Sequence, residues 1–143
     1  MKKVLIFVMA SIVAVAFLGC KKSGEYADLK EYLNEVIKIN EEYVSSLEKA
    51  NSAKDVAEAL TDMGNKMEKI AKDGEAIKKK YSDMGKIRKD APAEIKDELE
   101  RLEQVAQKLL TVSMKTMKYM MDPEVIKASQ EMAKKIGGRD IFR

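Results

Sequence analysis

The sequence predicts an all-α protein, an antiparallel bundle of three long helices followed by a short fourth C-terminal helix. Two observations support this fold class. Apolar residues recur at alternating spacings of three and four through most of residues 26–136, which places them on one face of each helix. Helix-breaking and capping residues divide that pattern at three points, and connections of a few residues make consecutive helices antiparallel.

The first predicted helix covers about residues 26–50. Its apolar face consists of Tyr26, Leu29, Leu33, Val36, Asn40, Tyr43, Leu47 and Ala50, and is widened by Tyr32, Ile37 and Val44. Asn40 is the one polar residue in the series. A buried polar residue there could fix which neighbour packs where, or bind a small polar ligand. We favour the simpler interpretation that Asn40 lies at the edge of the face and is hydrated.

The second predicted helix begins after Ser52, which together with Asp55 three residues later resembles a capping box. Its apolar face consists of Val56, Leu60, Met63, Met67, Ile70, Gly74, Ile77, Tyr81 and Met84. We predict continuous helix to about Ile87, with a break near Ser82 to Gly85 as the alternative.

Pro92 separates the second helix from the third, because the residue before a proline disfavours helical geometry. The apolar face of the third helix consists of Ile95, Leu99, Leu102, Ala106, Leu109, Ser113, Thr116 and Met120, flanked by Val105, Leu110, Val112 and Met117. Asp122 and Pro123 are a cap and a first residue for the fourth helix. That helix places Val125, Ser129, Met132 and Ile136 on one side. Gly137 and Gly138 end it, before a tail whose Ile141 and Phe142 are expected to dock on the bundle.

The first twenty residues have the organisation of a secretory signal peptide. Lys2 and Lys3 precede an apolar run from Val4 to Leu18, which is followed by the small residue Gly19. The run is shorter than the roughly 20 apolar residues of a membrane span. We therefore expect residues 1–19 to be removed as a cleaved signal helix.

Phe17, Leu18, Gly19 and Cys20 resemble the lipobox of bacterial lipoproteins, in which the first three residues direct cleavage. Phe17 and Leu18 differ from the commonest residues there, whereas Gly19 and Cys20 match. The resemblance implies that Cys20 becomes the mature N-terminus and carries fatty acids such as palmitate. Residues 20–24 would then be the lipidated anchor and a short tether, and residues 25–143 the helical bundle domain.

The same resemblance implies where in the cell the protein is located. Two or more acyl chains attach a protein stably to a membrane, so the expected location is the cell envelope, lipid-anchored. In lipoproteins, a residue other than Asp after the Cys favours the outer membrane, facing the periplasm, if the host has two membranes. Lys21 fits that rule.

Composition excludes several classes of site. The 27 basic and 24 acidic residues give a formal net charge of +3, which loss of Lys2 and Lys3 lowers to +1, so nucleic acid is not expected as a partner. The chain has no His, and its single Cys is Cys20. Catalytic mechanisms that require a histidine are therefore excluded. Zinc sites built from His or Cys ligands are excluded as well. We expect no cofactor other than the lipid on Cys20.

Methionines are concentrated around the end of the third helix. Met114, Met117, Met120 and Met121 are spaced to share a helical face, and thioethers both adapt to varied apolar partners and bind soft Cu(I). The interpretations are core packing, which we favour, an adaptable apolar groove, or copper binding.

Neither carboxylates nor tyrosines form a persuasive site in the sequence. Glu41 with Glu42, or Glu94 with Asp97 and Glu98, could hold a hard cation, but a solvated charged face is the simpler interpretation. The five tyrosines are expected to be half-buried, with their hydroxyl groups reaching water.

Together these features predict a non-catalytic, lipid-anchored lipoprotein that acts as an interaction or structural accessory module. Its expected partners are the membrane and an envelope protein of unknown identity, with the oligomeric state open. The alternative is a periplasmic binding or chaperone-like module that holds an apolar ligand or unfolded polypeptide in the Met-rich groove.

Overall fold

The computed structural model describes residues 24–81 and 91–136. In these residues it contains four α-helices, α1 (Ala27–Lys49), α2 (Ala53–Lys80), α3 (Lys96–Thr116) and α4 (Pro123–Lys135). Short 3₁₀ turns at Ala93–Ile95 and Met117–Tyr119 lie directly before and after α3. The predicted all-α bundle with a short C-terminal helix is confirmed.

Two helix starts are capped as the sequence predicts. The Ser52 hydroxyl accepts a hydrogen bond from the backbone N–H of Asp55 at 3.1 Å, and the Asp55 carboxylate accepts one from the backbone N–H of Ser52 at 3.0 Å. This reciprocal pair is a capping box. At α4, Asp122 Oδ1 accepts from the backbone N–H of Glu124 at 2.9 Å, and Pro123 occupies the first turn. Residues within one turn of each helix start are therefore sufficient to form both caps.

The end of α2 differs from the prediction. The helix ends at Lys80 and Tyr81 leaves helical geometry, so the prediction of continuous helix to Ile87 is wrong. The Tyr81 ring stacks on Tyr26 with 5.6 Å between ring centres, and its hydroxyl lies 2.6 Å from Asp28 Oδ1. These contacts dock the last turn of α2 on the start of α1, which a helical periodicity cannot reveal.

The helices alternate in direction. Lys80 of α2 pairs with Asp28 of α1, and Lys66 pairs with Glu42, so α2 runs antiparallel to α1. By contrast, α3 runs parallel to α1, because its start lies beside Asn34 and its end beside Glu48. Helix α1 packs against both α2 and α3, and α2 packs against both α1 and α4.

The short helix α4 lies along α2 rather than over the end of the bundle. A Cβ atom added to Gly64 of α2 would lie 3.2 Å from Met132 Cγ and 3.3 Å from Met132 Cα, so the two backbones approach closely at this glycine. In the described residues, α3 forms no comparable interface with α2 or α4. The fourth side of the bundle, between α3 and α4, is thus less tightly closed.

Asn40 lies in the centre of the core. It is fully buried, so our interpretation of a hydrated edge position is wrong. The reason is that Ile37 and Val44 extend the apolar face on either side of it, and both are buried. Asn40 Nδ2 donates to the Val36 carbonyl at 2.8 Å, while Oδ1 has no hydrogen-bond partner among the described residues.

The tyrosines are more buried than predicted. Tyr32, Tyr43 and Tyr81 are each less than a tenth exposed, whereas Tyr26 and Tyr119 are half-buried as expected. Packing on both flanks of α1 encloses Tyr32, which the sequence pattern places at the edge of the apolar face, and Tyr43, which lies within that face.

Several predictions fall outside the described residues. They concern the signal segment 1–19 with Cys20 and Lys21, the alternative break near Ser82 to Gly85, and the tail with Gly137, Gly138, Ile141 and Phe142.

Candidate interaction surface

Phe17, Leu18, Gly19 and Cys20 lie outside the described residues, which begin at Gly24. In the ranges 24–81 and 91–136, no helix combines the length and the apolar character needed to cross a bilayer. The described bundle therefore begins four residues after the cysteine that the lipobox resemblance singles out.

The inner face of α3 is fixed by polar contacts with α1. Glu98 is buried, and its Oε1 lies 3.4 Å from Lys30 Nζ and 3.3 Å from Asn34 Nδ2. One turn further along, Arg101 donates to Asn34 Oδ1 at 3.3 Å and to Glu41 Oε1 at 3.2 Å. Because these bonds fix the rotation of α3, they also decide which of its residues face outward.

The outward residues at the end of α3 are apolar. In the described part of the chain, every large hydrophobic side chain that is exposed lies between residues 110 and 126: Leu110 (37%), Met114 (73%), Met117 (52%), Met121 (84%) and Ile126 (38%). We call these five residues the apolar face. Leu110, Met114 and Met117 lie on one side of α3 by their spacings of four and three, and Met121 and Ile126 follow within the next nine residues of the chain. Exposed hydrophobic residues scattered singly are ordinary, whereas a group on one side of a helix is a candidate interaction site.

Met120 differs from its neighbours. It is half-buried and packs against the core, whereas Met114, Met117 and Met121 point outward. Core packing therefore accounts for Met120, and is wrong for the other three. Of the four predicted methionines, three are therefore exposed on the surface and one, Met120, packs against the core. Copper binding by the thioethers, the least favoured of the three interpretations, stays an untested alternative.

Two lysines next to the apolar face, Lys115 and Lys118, have no carboxylate partner in the part of the chain that the structure describes. Lys115 donates to the Glu48 carbonyl at 2.6 Å, and Lys118 Nζ lies 4.8 Å from the centre of the Tyr119 ring. The Tyr119 hydroxyl in turn donates to the Asn51 carbonyl at 2.5 Å. These contacts fasten the end of α3 to the α1–α2 turn, so the apolar face rests on a defined backbone.

The apolar face lies at the end of the bundle remote from Gly24. The contacts of Lys115 and Tyr119 place it level with the last turn of α1. Since α1 has 23 residues, the two ends of the bundle are about 35 Å apart.

Sequence reasoning missed Leu110 and Ile126 as members of this surface. Leu110 was assigned to the flank of the core stripe, and Ile126 was not singled out. A usable signal was present, because Gln107, Leu110, Met114 and Met117 form a second series with spacings of three, four and three. Because its first member, Gln107, is polar, this series is difficult to distinguish from the neighbouring core positions.

Four of the five carboxylates considered as cation ligands, all except Asp97, have other partners in the described helices and turns, and that of Glu98 is Lys30. Glu41 pairs with Arg101, Glu42 with Lys66, and Glu94 accepts a hydrogen bond from the backbone N–H of Tyr26. Across the described ranges, no group of three or more potential ligands could hold a metal ion.

A groove of about 520 Å³ lies beside the α1–α2 turn and is lined mainly by polar residues. Its Asp55 belongs to the capping box, and hydrogen bonds from the Asn51 backbone and the Ser52 side chain hold the pKa of Asp55 below its ordinary value. Glu58 and Asp62 pair with lysines one turn away on the same helix. The carboxylates of this groove already interact with residues close to them in the chain. The apolar face is therefore the stronger candidate for an interaction site.

No family model matches the chain, and no curated protein or solved structure shows significant similarity to it.

Proposed function

We propose that the chain is a lipid-anchored lipoprotein of the cell envelope, whose non-catalytic helical bundle acts as an interaction and structural accessory module. The resemblance of Phe17, Leu18, Gly19 and Cys20 to a lipobox supports the anchor. Acyl chains on Cys20 hold the mature protein to the membrane, because two or more chains bind a bilayer stably. In a host with two membranes, Lys21 favours the outer membrane.

The concentration of exposed large side chains in the apolar face is the observation that carries the interaction role. Met114, Met117 and Met121 are each more than half exposed, although the same sequence buries Met63, Met67 and Met132 in the core. Each Å² of apolar surface that stays in contact with water forgoes roughly 25 cal/mol of the favourable free energy of burial. Flexible thioether side chains also adapt to the shape of a partner. The proposed interaction surface is therefore the end of α3 and the start of α4.

Labelling with a radioactive fatty acid tests the anchor. The wild-type protein should take up the label and sediment with membranes, whereas Cys20→Ser should lose the label and its membrane attachment. Lys21→Ala is a matched control that changes the neighbouring residue and should keep the label. An unlabelled wild-type protein would reject the anchor.

Crosslinking in intact cells tests the interaction surface. A photoreactive amino acid at Met117 should capture a protein partner that mass spectrometry can identify. The same amino acid at Thr61, which is exposed on α2, is the control and should capture little. Equal capture at the two positions, or none at Met117, would reject the apolar face as the interaction surface.

A second candidate function is a binding module for an apolar ligand or an unfolded polypeptide. The exposure of Met117 and Met121 favours it, because a pliable methionine surface also suits varied apolar partners. Titration with an apolar fluorescent probe should then give saturable binding that Met117→Ser weakens, and that Lys72→Ser on the α2 surface leaves unchanged. A wild-type protein that binds no probe would reject this function.

A further inference from the structure

The outer side of α3 has a polar part as well as an apolar one. Glu103, Gln107, Leu110, Met114 and Met117 follow one another at spacings of four, three, four and three, and all five are exposed. This spacing describes the seam of a coiled coil, with positions a and d at the partner helix. The side of α3 that faces away from the core is thus patterned for contact with a further helix.

Opposite charges mark the two ends of that seam. Glu103 is its first member, and Lys118 directly follows its last member, Met117. In the part of the chain that the structure describes, neither Glu103 nor Lys118 forms an ion pair with another side chain, and Lys118 contacts only the ring of Tyr119. Each charge therefore has capacity for an opposite charge from outside.

We propose that the occupant of this seam is a second copy of the chain, packed against it with the two α3 helices antiparallel. The proposal rests on the proposed function, since it uses the same apolar face. A two-fold axis level with Val112 places Leu110 opposite Met114 of the second copy, and Gln107 opposite its Met117. Both layers pair an a position with a d position, as antiparallel coiled-coil packing requires.

The same register joins the charged ends. Lys118 of the second copy lies in the 3₁₀ turn directly after its α3 and comes about level with Ala106, which is three residues, or about 4.5 Å, along α3 from Glu103. Residues three apart are neighbours on a helix surface, so the Glu103 and Lys118 side chains can reach each other. Two-fold symmetry forms this ion pair twice.

The charge pattern disfavours the parallel arrangement. Parallel helices would place Glu100 and Glu103 beside the same residues of the second copy, which is repulsive. Lys118 would then lie beside Ser113 and gain no charged partner. A basic partner protein would place its positive charge next to Lys118 at the basic end of the seam. An anionic membrane would place its negative charge next to Glu103 at the acidic end. An antiparallel second copy matches both ends.

An antiparallel dimer also fits attachment to one membrane. The start of α1 lies beside Glu94, about 27 Å along the bundle from Val112, so the two anchors would be about 50 Å apart. Both reach the same bilayer when the bundles lie along its surface and the two-fold axis stands upright. The contact of one helix pair buries less than the roughly 1,200 Å² of a stable interface, so the dimer should be weak in solution. Copies that share a membrane meet at high local concentration.

Sedimentation equilibrium of the lipidated mature chain, residues 20–143, in excess density-matched detergent, tests the dimer. We expect reversible dimers with a dissociation constant between about 10 µM and about 1 mM. Met114→Glu should abolish them. Glu103→Lys and Lys118→Glu should each weaken them roughly tenfold, and the double variant should restore wild-type affinity, because it reverses both partners of each pair. Lys54→Glu, at an exposed position on α2, should have no effect.

Monomers throughout this concentration range would overturn the proposal. So would dimers that Met114→Glu leaves intact, or charge reversals without rescue in the double variant. Folding is checked by circular dichroism, and a variant that loses helicity is replaced by Met114→Gln, which should weaken the dimer in the same direction.

Photocrosslinking from Gln107 in intact cells tests the register. The second copy should be captured at or next to Met117, whereas a parallel pair would be captured at Gln107 itself and would overturn the antiparallel arrangement. Capture of another protein alone would overturn the second copy as occupant while supporting the interaction function. No capture from either Gln107 or Met117 would reject both, and the fatty acid label reports on the anchor independently of these results.

Discussion

At the scale of single residues, Asp28 shows how one carboxylate can join two helices. Its side chain accepts from Tyr81 at 2.6 Å and from Lys80 at 2.5 Å, across the contact between the start of α1 and the end of α2. Burial opposes ionisation, but the bonds from Lys80, Tyr81 and the Leu29 backbone outweigh it and hold the pKa of Asp28 below its ordinary value. Burial together with the bond to Asp28 raises the pKa of Tyr81 to about 12.

Asp28→Asn should lower the free energy of unfolding by about 1 kcal/mol near neutral pH, because the ion pair is lost and the hydrogen bonds weaken. A depressed pKa in the folded state means that the contribution of Asp28 is present above the ordinary value of 3.8 and is lost as the pH falls through the lower folded value. Urea unfolding at about pH 7 and about pH 3 should therefore show a smaller difference between wild type and variant in acid.

Asp62→Asn is the matched control for this experiment. Asp62 also pairs with a lysine, Lys66, but its side chain is 58% exposed, so its removal should cost little at either pH. An Asp28→Asn variant whose deficit is the same in acid as at neutral pH would contradict the role assigned to ionised Asp28.

Asn40 carries a cost that a substitution can remove. Its Oδ1 is buried and has no hydrogen-bond partner within residues 24–81 and 91–136, and an unsatisfied buried polar atom costs about 1 to 3 kcal/mol. Asn40→Leu keeps the branched shape and should raise the free energy of unfolding by about 1 kcal/mol, measured by urea denaturation. Asn40→Ala removes the same oxygen but leaves a cavity, and should be destabilising. A loss of stability in the Leu variant would mean that Oδ1 has a partner, such as an internal water.

At the scale of helices, the pairing of α2 with α4 depends on the absence of a side chain at Gly64. Gly64→Leu would place its side chain where Met132 now lies and force α4 away from α2. We expect a loss of roughly 1 to 3 kcal/mol in unfolding free energy, which is the usual cost of overpacking. Amide hydrogen exchange in α4 should become faster, because that helix loses its main contact.

Thr61→Leu adds a side chain of the same kind to an exposed position one turn away, and serves as the control. It should leave exchange in α4 unchanged. If Gly64→Leu were equally silent, the close approach of α2 and α4 would not be needed for docking of the fourth helix.

The helix starts and the helix ends differ in how well local sequence predicts them. Ser52 with Asp55, and Asp122 with Pro123, act within one turn, so each cap was correctly predicted. The end of α2 was not, because Tyr81 is held by residues more than fifty positions away.

At the scale of the whole molecule, the methionines divide into a core set and a surface set. Met67 is fully buried, whereas Met117 is 52% exposed. Met67→Ser should therefore lower the free energy of unfolding by about 2 to 5 kcal/mol. Met117→Ser should change it by less than about 0.5 kcal/mol. Thermal or urea unfolding of the two variants measures the difference, and a comparable loss in Met117→Ser would place that residue in the core.

The bundle itself follows from the sequence, because apolar spacings of three and four leave each helix with one face that must be buried. The division of the methionines does not follow. Met117 and Met120 are three residues apart and lie on neighbouring parts of one helical surface, so periodicity cannot say which of them turns inward.

The rotation of α3 about its own axis makes that choice, and contacts with α1 fix the rotation, through Glu98 with Lys30 and Arg101 with Glu41. The sequence alone therefore determined the apolar faces of the helices, the caps at the starts of α2 and α4, and the candidate anchor at Cys20. The tertiary structure decided that Asn40 is buried, that α4 docks at Gly64, and that Leu110 joins three methionines on the surface. Each of these depends on partners distant in the chain, which a periodic pattern within a single helix does not encode.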